Sequence, residues 1–351
     1  MKPIVFDNII FSLQRAGGIS RVWSDMLTYV APNLKAFRVL EYAHAMDNFE
    51  RIALSDHLLF KGEAGKLPVA VERMLPARFD SNDECIFHSS YYRLPHCKRA
   101  KTVLTVHDFT VERFSNNFMF MRSQLHKGMK RRAIRSADAI VCISESTRND
   151  LLRLNPGVSP GKVHVIYNAV SSKFSRLQSA PHPDMADTVL FVGGRQSYKN
   201  FHAAVQAVQR TNLRFCICGS PVNEREQNIL NTQLADRWVN LVYPNDEVLN
   251  KIYNSAYALL YPSKWEGFGL PVAEARRAGC PVVALRSSAV AEVATDCPSL
   301  CDSDAPEVLA DALKRLGNQS FRMECIAHGL ADKRFTAEDF ANGYLNIYDS
   351  L

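Results

Sequence analysis

A chain of 351 residues has room for two ordinary domains, each with its own core. A composition of 47% hydrophobic and 22% charged residues, without Gly, Ser or Gln tracts, excludes the disordered and fibrous classes, and no apolar run approaches the roughly 18 residues that span a bilayer. The net charge of +6 is unevenly spread: residues 1–176 hold 26 Lys or Arg against 16 Asp or Glu, which is +10, and the remainder holds 16 against 20, which is −4. The basic half suits an anionic membrane leaflet or a phosphorylated substrate. Nucleic acid is a poor match, because the sharpest cluster, "HKGMKRRAIR" with Lys127, Lys130, Arg131, Arg132 and Arg135, lacks interleaved aromatic platforms. The start "MKPIVFDNII" has no signal-peptide cleavage site, so the expected location is the cytoplasm, with peripheral contact at the inner face of the membrane as an option. Nine cysteines without metal-ligand spacing read as reduced core thiols.

In chain order, "PIVFD", a Gly-Gly turn leading into "ISRVWSDMLTYV", "AFRVLEYA", "CIFHS", "KTVLTVHD", "DAIVCIS" and "VHVIYN" alternate strands with amphipathic segments. That rhythm predicts a parallel sheet covered by helices, over residues 1–167. Residues 168–187, "NAVSSKFSRLQSAPHPDMAD", break it with serines and prolines and read as a linker or hinge. From 188 to 334 the alternation restarts: "TVLFVGG", a helix "NFHAAVQAVQR", "LRFCICG", a polar helix, "WVNLVYP", a helix "DEVLNKIYNSA", "YALLYP", then "SKWEGFGLPVAEARRAGCPVVA". A second Rossmann-like α/β sheet is expected there, and the helix over 335–351 is expected to pack back on the first domain.

Ligands of open parallel sheets bind beyond the carboxyl ends of the strands. After "YALLYP", Gly267 and Gly269 leave backbone amides unshielded and Pro271 suits a helix start, so a helix N-terminus is offered to an anion. Glu266 precedes that helix and Glu274 lies a turn inside it, so one ligand can touch both; an N-terminal capping acid and a salt-bridged helix acid fit the spacing equally well. "DSD" at Asp302–Asp304 precedes a helix and reads as a cap.

"EGFGLPVAEA", with seven residues between Glu266 and Glu274, resembles the paired-glutamate signature of the large retaining glycosyltransferase family with the two-domain GT-B fold, the group 1 or family 4 type. "VGGRQSYKN" resembles that family's loop in which an arginine and a lysine bind the donor diphosphate, here Arg195 and Lys199, spaced one residue closer than in many members. "AGGIS", "TVHDF" and "VCISESTRND" resemble its glycine loop, its His-Asp strand end and its serine-rich turn, in the expected order.

The resemblance implies two Rossmann-like domains facing a cleft and transfer of a hexose from a nucleoside diphosphate to an acceptor hydroxyl. Its flavour is that of bacterial surface-polysaccharide enzymes using GDP-mannose, with a glycan or lipid-linked acceptor. It assigns catalysis to His107, Arg195, Lys199 and Glu266, and donor binding to these last three with Gly17, Gly18, Gly194, Tyr243, Gly267, Phe268, Gly269, Leu270 and Glu274. Acceptor contacts are expected from His88, Tyr91, Tyr92, Arg93 and Asp108. No cofactor or essential metal is expected, because two cations and a helix N-terminus neutralise the leaving diphosphate. A sugar-nucleotide epimerase and a non-catalytic nucleotide-sugar-binding protein on the same scaffold are the alternatives; product analysis separates them.

Overall fold

The computed structural model describes residues 1–54, 67–79, 84–114, 120–179 and 182–351. The chain divides into two compact units, Met1–Ala169 with Phe335–Leu351, and Val170–Arg334.

The first unit is a six-stranded sheet of β1 (Ile4–Asp7), β2 (Phe37–Leu40), β3 (Ile86–Ser89), β4 (Lys101–Val106), β5 (Ala139–Cys142) and β6 (Val163–Val165). Its order is β2-β1-β3-β4-β5-β6 and every pairing is parallel. β1, β3 and β5 are buried at every residue, which is why they read as unbroken apolar runs and not as alternating ones. The last helix, Ala337–Ser350, is capped by Thr336 accepting from the Asp339 amide at 3.0 Å, and it belongs to this unit. Its Phe340, Tyr344, Ile347 and Tyr348 recur at helical spacing and are buried.

The second unit holds β7 (Thr188–Val192), β8 (Arg214–Gly219), β9 (Trp238–Val242), β10 (Ala258–Tyr261), β11 (Val282–Leu285) and β12 (Leu300–Cys301), in the order β12-β11-β10-β7-β8-β9. All its pairings are parallel too. Counted from β7, this is the dinucleotide-fold order, in which the winding direction reverses between the first and fourth strands. The crevice therefore opens at the carboxyl ends of β7 and β10. Phe191, Phe201 and Phe215 form the aromatic part of the core beneath it, Phe191 and Phe201 meeting edge-on at 5.3 Å.

The serine-rich stretch expected to be a linker is fastened instead of free. From Val170 onward it lies in the second unit. The amides of Ser175, Leu177 and His182 donate to the side chains of Asn250, Asn254 and Ser255 at 3.1, 2.8 and 3.0 Å, all on the helix Asp246–Ser255. Backbone donors that no strand or helix satisfies are met by a row of helix side chains. All nine cysteines are free thiols, and eight are buried. Among the described residues no helix is long and apolar enough to cross a membrane.

Candidate active site

The end of β7 turns at Gly193, whose φ of 117° lies where a side chain is strained. Space is as tight beside it: a Cβ on Gly219, at the end of β8, would stand 2.6 Å from the Gly193 carbonyl. The chain then makes the short turn Ser197–Lys199 before the helix Phe201–Gln209. At the end of β10, residues 262–268 lead to Gly269, which caps the helix Leu270–Arg277 with φ of 101° and so leaves the first amides of that helix without a side-chain cap.

These two strand ends bring Lys199 and Glu266 together. The Lys199 ammonium donates to Glu266 Oε1 at 2.6 Å, and the Tyr261 hydroxyl donates to the same oxygen at 2.9 Å. Lys199 also reaches the Tyr261 oxygen at 3.2 Å and lies over the rings of Tyr198 and Tyr261, 5.5 and 5.4 Å from their centroids. Burial and the Glu266 charge hold the Tyr261 phenol well above its ordinary range, so it stays a neutral donor. The Glu266 amide donates to Ser288 Oγ at 2.8 Å, which pins the backbone of the acid as well. No motif singled out Tyr261; its signal was a tyrosine as the last residue of the strand that ends in the Pro-Ser turn.

Arg195 does not join this pair. Its guanidinium donates to Glu226 at 2.8 Å and to the carbonyls of Ser220 and Pro221 at 3.0 and 2.7 Å. Glu226 is itself the third residue of the helix Glu224–Leu234 and closes a capping box with Asn223. Burial pushes the Glu226 carboxyl up, but the Arg195 hydrogen bond and the Asn223 amide outweigh it and hold it below its usual range. Glu274 is buried within its helix and accepts from the Tyr253 hydroxyl at 3.2 Å. Gly267 and Phe268 are buried in the glycine turn, Leu270 is half-buried at the helix start, and Gly194 is half-buried after β7. Tyr243 stands exposed just past β9, at φ 44°, with its amide on the Gly219 carbonyl at 3.0 Å. The acids of "DSD" do not cap the helix that follows. Asp302 pairs with Arg286 at 2.8 Å, and Asp304 accepts from Lys264 at 2.8 Å and Asn200 at 3.0 Å, while the helix Pro306–Arg315 starts at Ala305 without a side-chain cap.

In the first unit, Gly17 and Gly18 lie exposed at the start of the helix Gly18–Asp25, and a Cβ on Gly18 would meet nothing within 4 Å. His107 follows β4 directly; burial pushes its imidazole down to about 4, with Asp108 opposing and Lys130 adding to the shift, so it is neutral at pH 7. Asp108 accepts from the Thr110 amide at 2.9 Å, a side-chain turn just ahead of the short helix Thr110–Phe114.

Three of the expected acceptor contacts are interior groups. His88 is fully buried, with its two ring nitrogens at 2.6 Å from the Tyr348 hydroxyl and 2.9 Å from Thr105 Oγ1, so no ring atom is left for a ligand. Arg93 is buried in an ion pair with Asp7 at 3.0 Å and also meets Leu75 O and Glu72. Tyr92 is buried at φ 52°, beneath Lys130. Tyr91 is half-buried and its hydroxyl meets His126 Nδ1 at 3.1 Å; His126 was not expected at the site. Lys130, counted in the basic cluster, is buried over the Phe109 ring at 3.7 Å and beside Glu112 at 3.3 Å, whereas Arg131 and Arg132 are exposed.

Residues 173–329 match the family described as Glycosyl transferases group 1, and residues 16–174 match Glycosyltransferase Family 4. The chain belongs to these glycosyltransferases. It is 29% identical over 290 residues to O-antigen chain mannosyltransferase B of Escherichia coli, covering 76% of this chain and 74% of that protein. It is 24% identical over 230 residues to the alpha-maltose-1-phosphate synthase of Mycolicibacterium smegmatis, covering 59% and 58%. Anabaena HepE, solved in complex with UDP and glucose, superposes over 100% of both chains with a TM-score of 0.72 at 16% identity. That likeness establishes the GT-B fold for this glycosyltransferase.

Proposed function

We propose that this glycosyltransferase moves a hexose, with mannose favoured, from a nucleoside diphosphate to an acceptor hydroxyl with retention at the anomeric carbon, in the assembly of a bacterial surface polysaccharide. The observation that carries the reading is the Lys199–Glu266 pair at the β7–β10 crevice, beside a helix start without a side-chain cap. Two of the three Lys199 N–H groups are used within the protein, and Glu266 Oε2 makes no hydrogen bond among the described residues. A cation, an open carboxylate oxygen and the positive end of the helix Leu270–Arg277 together match a sugar diphosphate: the lysine and the helix end for phosphate oxygens, the carboxylate for a sugar hydroxyl. The mannosyltransferase relative supports the sugar and the pathway class.

In this reading the acceptor oxygen attacks the anomeric carbon on the face the phosphate leaves. The bond from that carbon to the phosphate oxygen breaks, the acceptor proton passes to a departing phosphate oxygen, and the nucleoside diphosphate is released. Lys199 and the positive end of the helix Leu270–Arg277 stabilise the charge that gathers on the leaving group, so no resident metal is assigned. His107, neutral and at a strand end of the first unit, is assigned to a sugar hydroxyl.

Calorimetric titration of GDP and of UDP into Lys199→Ala and Glu274→Gln tests the donor assignment. Each lost charge-assisted hydrogen bond corresponds to about ten- to a hundredfold in affinity. Unchanged affinity in both variants removes it.

A further inference from the structure

The strongest unassigned relationship in the second unit is the closed ring of Lys199, Tyr261 and Glu266. Each member touches the other two: Lys199 to Glu266 at 2.6 Å, Tyr261 to Glu266 at 2.9 Å, Lys199 to Tyr261 at 3.2 Å. The hydroxyl has one proton, and it goes to Glu266 Oε1, so the phenol oxygen can only accept from the lysine. A tyrosine with its ring buried in the sheet and its hydroxyl at the strand end has almost no freedom to reorient. It is therefore the rigid member, and the two long, flexible side chains are arranged by it.

We propose that Tyr261 is a positioning residue of the donor site, whose hydroxyl turns one Lys199 N–H and Glu266 Oε2 outward toward the nucleotide sugar. The inference rests on the donor-site reading above and adds to it a residue that touches no substrate. Without the hydroxyl, the ammonium gains a free N–H and both carboxylate oxygens come within its reach. A lysine that swings onto Oε2 closes the pair on itself, and both groups are then lost to the ligand. Phenylalanine keeps the ring and its packing while removing only the ring's closing member.

The test is a double-mutant cycle on the full chain, with GDP and UDP titrated separately into the unmodified protein, Tyr261→Phe, Lys199→Ala and the double variant, alongside thermal melts. Tyr261→Phe is expected to weaken the better-bound nucleotide about three- to tenfold, less than Lys199→Ala does because the lysine itself remains, with a melting temperature no lower than that of Lys199→Ala. In the Lys199→Ala background the same change is expected to have no further effect on GDP or UDP, because these carry no sugar for Glu266 to hold and the hydroxyl reaches their phosphates only through the lysine. Steady-state rates add a second readout: the donor KM rises and the acceptor KM does not. Unchanged affinity in Tyr261→Phe while Lys199→Ala binds weakly overturns the inference and spares the donor site. Equal weakening in both backgrounds overturns it as well, since the tyrosine then acts by packing. Unchanged affinity in Lys199→Ala removes the lysine from the donor-site reading, and Tyr261 with it.

Discussion

Asp304, just past β12, accepts from Lys264 at 2.8 Å and from Asn200 at 3.0 Å, and so ties the loop after β10 to the residue that follows Lys199. The Lys264 hydrogen bond, then its charge and Asn200, hold the Asp304 carboxyl below its usual range. Lys264 and Asp304 are 49% and 40% exposed as side chains, where an ion pair contributes about 0–1 kcal/mol to stability. The clasp thus matters more for where the loops sit than for whether the unit folds. Asp304→Ala is expected to raise the donor KM several-fold while the urea midpoint moves little. A large loss of stability with an unaltered KM would assign Asp304 to the fold alone.

Arg195 and Lys199 are expected to part company in stability measurements. Arg195 reinforces the capping box of the helix Glu224–Leu234 through Glu226 and holds two carbonyls, so Arg195→Ala is expected to cost about 1–3 kcal/mol. Lys199→Ala is expected to cost less, because Tyr261 still donates to the Glu266 oxygen that the lysine leaves. Denaturant titration of both variants checks the order, and equal costs would contradict it.

Stability should fall on acidification through the buried histidines of the first unit. Burial, with a smaller contribution from His107, pushes His88 down to about 3, and burial pushes His107 down to about 4. Between an unfolded value of about 6.5 and those values, the unfolded chain binds protons that the native state does not. This contribution is complete above about pH 6.5 and is lost as the pH falls, at up to about 1.4 kcal/mol per pH unit for each histidine. Urea midpoints at pH 7, 6 and 5 measure the slope, and His88→Gln should make it shallower. An identical slope in the variant would show that His88 does not titrate across folding.

Turnover is expected to survive chelation, because Lys199 and the positive end of the helix Leu270–Arg277 are assigned the charge of the leaving diphosphate. Loss of activity in a chelator, restored by magnesium, would replace that assignment with a metal.

The basic first half is expected to bind an anionic membrane leaflet through the outward charges of the helix Phe120–Ser136. Arg131, Arg132 and Arg135 are exposed, but Lys130 is buried beside Glu112 and is no probe of the surface. Each charge near such a surface contributes about 1 kcal/mol, so Arg131→Glu with Arg132→Glu should weaken sedimentation with phosphatidylserine vesicles, most at low salt. A chain that does not sediment with them even at low salt would put its acceptor in solution.

Much of the fold was legible in the sequence because its causes are local. The alternation of buried strands and amphipathic helices, the glycine at 269 and the helix start at Leu270 all follow from the preferences of adjacent residues. β12 escaped notice because two residues carry no periodicity, and the serine-rich stretch read as a linker because its partners lie some 70 positions away on one helix.

The site was legible as a set of residue types at strand ends, and only the tertiary structure decided which of them meet. Lys199 and Glu266 are 67 positions apart and are joined because the strand order puts β7 beside β10; Arg195, four positions from Lys199, is drawn to Glu226 and two carbonyls instead. His88 looked like a ligand-facing strand end until Tyr348, 260 positions later, closed over it. Local sterics and hydrophobic periodicity act over a few residues and are written in the chain. The choice of a charged group's partner depends on which strands the sheet sets side by side, and no short window of sequence contains that.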